Sequence, residues 1–166
     1  MFPEWEFVVF EDERYTYQDI HNKAAQAANA FVSAGVKKGD RVAICMANNP
    51  EYIICYMALT SMGAVCVLLN SWWVPDEVSY GLENSQAKIL VADQKRLSGL
   101  EKFQDVQKII VRPDSDSKFS NFNDFISSHE KTFPVVDLDT NDNATIFYTS
   151  GSTGFPKGVL STHRNI

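Results

Sequence analysis

Behind Thr16, apolar residues recur at helical spacing: Ile20, Ala24, Ala27 and Phe31 stand three or four positions apart, so one face of a helix carries them all. Thr16-Tyr17-Gln18-Asp19 reads as the capping box that starts this helix, and Gly35 supplies its stop. A charged turn, Lys37-Lys38-Gly39-Asp40, leads into a strand predicted over Arg41 to Met46. Asn49 then caps a second helix with Pro50 at its first position, running to about Met62 and stopping at Gly63. Ala64 to Leu69 is a short apolar run, read as a buried strand. After the loop Ser71-Trp72-Trp73-Val74, Pro75 opens a third helix to about Asn84. A strand over Lys88 to Ala92, a weakly patterned helix over Gln94 to Phe103 and a strand over Lys108 to Val111 follow. From Arg112 to Thr132 the pattern loosens into a polar loop at Pro113 to Lys118 and a short helix at Asn123 to His129. Pro134 to Asn143 is an acidic connector, and Ala144 to Thr149 is one more strand. Strands and helices alternating at this spacing predict an α/β fold in three layers: a mostly parallel sheet with helices on both faces.

A membrane reading competes at one place. Tyr52 to Leu69 holds no charged residue, a run at the short limit for a spanning helix. Thr60, Ser61 and Gly63 interrupt its middle, and caps, not basic anchors, flank it. A buried helix, a tight turn and a central strand account for the run, so no transmembrane segment is expected.

Composition narrows the class. The 166 residues are 45% hydrophobic and 22% charged, which excludes collagen-like, disulfide-scaffold and wholly disordered chains and suits a single domain. A net charge of −6 argues against a protein that coats nucleic acid, which needs clustered Lys and Arg, but leaves room for a local anion site. The three cysteines, Cys45, Cys55 and Cys66, are far apart in apolar runs and read as buried free thiols. No Cys/His spacing suggests zinc. The opening Met1 to Glu6 lacks the basic start and apolar stretch of a secretory signal. A cytoplasmic placement is therefore expected, with peroxisomal or membrane-peripheral sites left open. The chain stops at Ile166 without a helix stop or polar tail, so it is expected to be truncated.

One segment carries chemistry: Tyr148-Thr149-Ser150-Gly151-Ser152-Thr153-Gly154-Phe155-Pro156-Lys157-Gly158. Its glycines let the backbone turn amides inward and let a ligand come close. The hydroxyls of Thr149, Ser150, Ser152 and Thr153 add donors, and Lys157 adds a mobile positive charge. Such a set grips a polyphosphate. It is not a Walker A loop, because Pro156 precedes Lys157 and Gly158 follows it.

Tyr148 to Val159 resembles the phosphate-loop motif of the adenylate-forming (AMP-binding) superfamily, which includes acyl-CoA synthetases, luciferases and peptide-synthetase adenylation domains. Thr16-Tyr17, Gly39-Asp40-Arg41-Val42-Ala43, Asn49-Pro50-Glu51, Gly63-Ala64-Val65 and Leu69-Asn70 fall in the order of that family's N-terminal region. Leu69-Asn70-Ser71-Trp72-Trp73 and the helix after it look most like fatty-acyl-CoA synthetases. The resemblance makes residues 1–166 a partial N-terminal AMP-binding domain ending just after the phosphate loop. It implies ATP-dependent adenylation of a carboxylate, expected to be a fatty acid, followed by thioester formation, with ATP, Mg²⁺ and coenzyme A as cofactors of the full-length enzyme. It assigns ATP phosphates to Thr149, Ser150, Gly151, Ser152, Thr153, Gly154 and Lys157, and no residue of this chain to catalysis or metal ligation. The family's adenine, ribose and acyl-binding motifs and its C-terminal lysine lie downstream, so the isolated chain is expected to be an inactive fragment that needs the remainder of the same polypeptide. Limited solubility is expected too, from an open sheet edge at the last strand. The rival readings are a peptide-synthetase or aryl-acid adenylation fragment, a non-catalytic truncated nucleotide-binding product, and an unrelated polyphosphate-binding module.

Smaller signals carry less. Asp137-Leu138-Asp139-Thr140-Asn141 begins like a calcium loop, but Asp142 and Tyr148 stand where Gly and Glu are needed. His21 and His129 are read as surface or satisfied-core histidines, His163 and Asn165 receive no role, and Trp72 and Trp73 are read as packing between layers, with an acyl or partner surface as the alternative.

Overall fold

A computed structural model describes residues 2–100, 103, 105–114, 117–149 and 154–166. A hairpin of β1 (Glu6–Phe10) and β2 (Glu13–Thr16) comes first; the sequence pattern missed it. Then follow α1 (Tyr17–Ser33), β3 (Arg41–Cys45), α2 (Pro50–Ser61), β4 (Val65–Leu68), α3 (Pro75–Ser85), β5 (Ile89–Asp93), α4 (Gln94–Leu97), β6 (Gln107–Val111), β7 (Ser120–Asn121), α5 (Phe122–Ser127), β8 (Asn143–Thr149) and β9 (Lys157–Thr162). Strands β3 to β9 form one seven-stranded sheet in the order β7-β6-β5-β3-β4-β8-β9. Every pairing in it is parallel except the last, β8 with β9.

Alternation along the strands divides the core in two. Val42 and Ile44 of β3, with Cys66 and Leu68 of β4, face α1, α2 and α5, where Ile20, Phe31, Leu59 and Ile126 meet them. Ala43, Cys45 and Val67 face the other way, onto Val78 and Leu82 of α3 and Leu97 of α4. Side chains that point to opposite faces at successive positions force this split, and the expected three layers result. All three cysteines are free and buried. Burial pushes the Cys45 thiol up to about 12, and Cys55 and Cys66 are raised by the same cause. Among the described residues no helix is long and apolar enough to cross a membrane.

The capping box at Thr16 forms as read. The Asp19 N–H donates to Thr16 Oγ1 at 3.1 Å, and the Thr16 N–H donates to Asp19 Oδ2 at 2.9 Å. Thr16→Ala is expected to cost about 1 kcal/mol, readable as a lower urea midpoint with an unchanged slope. Asn49 behaves differently: it holds the N-cap position of α2, but its side chain makes no capping bond. The helix expected over Gln94 to Phe103 ends at Leu97, because Ser98 is extended and Gly99 takes a positive φ of 83°.

Strand order places the loops. From β3 the chain steps to β4 on one side, then returns to β5 on the other. Ligands of open α/β sheets bind beyond the carboxyl ends of strands at such a reversal. Here Asp93, at the end of β5, ties three of those loops together. Its carboxylate accepts the Ala47 N–H at 2.9 Å and pairs with the Arg96 guanidinium at 3.2 Å, while Arg96 Nε donates to the Ser71 carbonyl at 3.0 Å.

Candidate phosphate-loop site

β8 runs parallel to β4, with Leu68 opposite Phe147. Thr149 therefore emerges at the same carboxyl edge as Asn70 and Ser71. The chain turns and returns antiparallel as β9, with Tyr148 opposite Gly158 and Thr149 opposite Lys157. The glycine loop is thus the connection of an edge hairpin. Of the residues assigned to ATP phosphates, Thr149 is the exposed last residue of β8, and Lys157 is the exposed first residue of β9. Gly154 has φ +113°, a conformation that side chains disfavour. Ser150, Gly151, Ser152 and Thr153 lie outside the described residues. The register sets Thr149 and Lys157 opposite each other at the loop's mouth. Among the described residues, Lys157 makes no ion pair.

The hairpin is braced by residues to which sequence reasoning gave no role. The Tyr148 phenol donates to Asn84 Oδ1 at 2.7 Å, with the Gly81 carbonyl at 3.2 Å, and burial raises its pKa. Its ring meets Trp73 edge-on, with centroids 5.4 Å apart. A Cβ on Gly158 would stand 3.0 Å from Ile146 Cγ2 and 3.4 Å from the Tyr148 ring, so a glycine there lets that ring lie across β9. Gly81 serves the same end on α3, since a Cβ there would stand 2.7 Å from Leu69 Cδ2 and 3.0 Å from Trp73 Cζ3. Tyr148 stood inside the motif in plain sight, but only the packing of α3 reveals what it holds.

The two tryptophans separate. Trp73 packs into the core as expected, whereas Trp72 is 84% exposed beside a hollow of about 390 Å³ that Lys95 and Arg96 also line. The packing reading is corrected for Trp72: its neighbour takes the space under α3, and the loop turns it outward. His21 stacks edge-on with Phe133, and Asn165 Oδ1 accepts from the Thr162 N–H and hydroxyl at 3.1 and 2.8 Å.

The model of one protein family, described as AMP-binding enzyme, matches residues 1–166. The chain belongs to the AMP-binding enzyme family. A curated relative, the crotonobetaine/carnitine–CoA ligase of Escherichia coli O157:H7, is 32% identical over 162 residues, covering 92% of this chain and 31% of the relative. Among solved structures, the anthranilate CoA ligase AuaEII in complex with anthranoyl-AMP superposes with a TM-score of 0.92 at 24% identity, over 98% of this chain and 32% of that one. A fatty acyl CoA synthetase of Mycobacterium tuberculosis superposes with a TM-score of 0.76 at 27% identity, over 92% of this chain and 30% of that one. The chain has the fold of the N-terminal domain of adenylate-forming enzymes, and it spans about a third of the length of the curated relatives it matches.

Proposed function

We propose that this chain supplies the ATP-phosphate grip of an ATP-dependent acid–thiol ligase of the acyl-CoA synthetase type. The observation that carries the reading is the edge hairpin that sets Lys157 opposite Thr149 at the carboxyl edge of the sheet, with Gly154 at positive φ between them. Family membership supports it. In such a ligase a carboxylate oxygen attacks the α-phosphorus of ATP and the bond to pyrophosphate breaks; a thiol then attacks the acyl carbon and AMP leaves. The residues of this chain act on the first step. Lys157 and the hydroxyls of Thr149, Ser150, Ser152 and Thr153 would hold the β- and γ-phosphates and stabilise the charge gathering on the leaving pyrophosphate. The glycines at 151 and 154 would keep the backbone close enough for amides to join them. Mg²⁺, when bound, would neutralise phosphate charge, and coenzyme A would bring the thiol.

A fatty acid as the carboxylate rests on the Leu69 to Trp73 segment and on the likeness to the mycobacterial fatty acyl CoA synthetase. The partner of the grip is further polypeptide of the same enzyme. In support, β9 is the edge of the sheet as described, and Phe147 of β8 and Val159 and Leu160 of β9 are 45%, 46% and 55% exposed. Apolar surface of that kind asks for cover and limits solubility without it. Buried free cysteines accord with a reducing cytoplasm.

The test is titration calorimetry with ATP and with inorganic tripolyphosphate. Lys157→Ala is expected to weaken both about tenfold, the order of one charge-assisted hydrogen bond, while Lys157→Arg keeps most of the affinity. Since Lys157 is exposed, the melting temperature should not move. Equal affinity in wild type and Lys157→Ala would overturn the reading.

A further inference from the structure

We propose that Tyr80 is a positioning residue for the phosphate loop, acting through a ring stack on Phe155 that fixes the loop's exit. The proposal rests on the phosphate-grip reading above and names the device that orders it. Phe155 follows Gly154 directly. It is 68% exposed, so burial in the core is not what holds it. Its ring lies against that of Tyr80 with centroids 4.8 Å apart and planes 26° from parallel. Tyr80 sits on α3 immediately before Gly81, whose carbonyl lies near the Tyr148 phenol, and one turn before Asn84, which accepts from that phenol. One turn of α3 therefore holds both ends of the loop: Tyr148 where the chain leaves β8, and Phe155 where it approaches β9.

α3 is a firm anchor for this. Val78 and Leu82 are buried in the core, and the Glu77 carboxylate accepts the Val74 N–H at 3.0 Å to fix the first turn. Between Phe155 and Lys157 stands Pro156, whose ring locks its own φ and restricts the residue before it. With three dihedral freedoms so reduced, the position of the Phe155 ring sets the direction from which Lys157 enters β9. An ordered exit means that less chain entropy is lost when a polyphosphate is seated. Gly154, directly before Phe155, holds a positive φ of 113°, which favours glycine at this point of the exit.

The experiment compares Tyr80→Leu, Tyr80→Phe, Phe155→Leu and the double leucine variant in this chain by two readouts. The first is amide hydrogen exchange at Gly154, Phe155, Lys157 and Gly158, with β3 and β5 amides as the internal control for folding. The second is the affinity for inorganic tripolyphosphate. Tyr80→Leu and Phe155→Leu are each expected to raise exchange at the four amides and weaken tripolyphosphate about three- to tenfold. The double variant should be no worse than either single one, and Tyr80→Phe, which keeps the ring, should match wild type. Unchanged exchange in Tyr80→Leu, or additive losses in the double variant, would overturn the proposal. Failure of wild type to bind tripolyphosphate would overturn the phosphate reading instead, and the exchange comparison would still decide whether the stack orders the exit.

Discussion

Arg112→Ala is expected to cost about 3 kcal/mol of stability, since it strips the partner from a buried carboxylate. Arg112 follows β6 directly and holds a left-handed φ of 47°. Its Nε donates to Glu51 Oε2 at 2.9 Å, and its two terminal nitrogens bind both oxygens of Glu13 at 2.7 and 2.8 Å. Its guanidinium also lies 4.7 Å from the centre of the Phe10 ring. One side chain thereby joins the β1–β2 hairpin, the first turn of α2 and the sheet, beside a cavity of about 570 Å³. Glu51 is 7% exposed with Arg112 in place, so only water entering from that cavity can stand in for the lost cation. For a chain of this length the loss amounts to a fall of roughly 6–12 °C in Tm. Glu51→Gln in the same background should restore part of it by removing the orphaned charge. The pH dependence has a definite sign. The Arg112 guanidinium, helped by the Tyr15 hydroxyl, holds Glu13 down at about 2 from an ordinary 4.5. A depressed carboxylate stabilises above its unfolded pKa and loses that contribution as pH falls from about 4.5 toward about 2. Because the Glu13 side chain is 40% exposed, solvent screens its share. The gap between wild type and Arg112→Ala should therefore narrow, without closing, in urea titrations taken from pH 6 down to pH 3. A gap below about 1 kcal/mol at pH 7 would show that the network is a surface decoration.

The same network marks where sequence reading stops. The α1 helix was legible because its signals are local: Thr16 meets Asp19 three residues on, and Ile20, Ala24, Ala27 and Phe31 repeat on one face. The central strands were legible because both their faces are buried, which leaves continuous apolar runs. The hairpin was not, because β1 is largely exposed, β2 is only half-buried, and their anchor, Arg112, stands 99 residues from Glu13. Gly99 was a usable stop signal for α4 that the weak pattern beyond it outvoted. At the site, glycines, hydroxyls and a lysine declare their chemistry by type, so the loop could be read as a phosphate grip. Its bracing could not, because Tyr80, Asn84 and Trp73 reach Tyr148 and Phe155 only once α3 lies across the sheet.

Acid-dependent exchange of pyrophosphate into ATP is expected to stay at background for the purified 166-residue chain, at least about a thousandfold below a polypeptide that continues through the rest of the domain. Adenylation needs the carboxylate held in line with the α-phosphorus, and that positioning is worth effective molarities of about 10⁵ M and upward. On the proposed function, a grip by Thr149 and Lys157 would lie at the far end of the triphosphate from the attacking oxygen. It would hold the leaving group and stabilise its charge, but would bring no acid to the phosphorus. Charge stabilisation of the leaving group alone contributes about 10² to 10³ per donor, which acts on a reaction whose partners never meet at useful concentration. The assay is isotope exchange with a panel of saturated fatty acids, run beside tripolyphosphate binding so that a folded, ligand-competent chain is in the tube. Binding without exchange is the expected outcome. Exchange above background that depends on the acid, and that Lys157→Ala abolishes, would mean that β8, β9 and the loops beside them hold a carboxylate as well as the phosphates. The search for the acyl site would then turn to the exposed Trp72 and the hollow next to it.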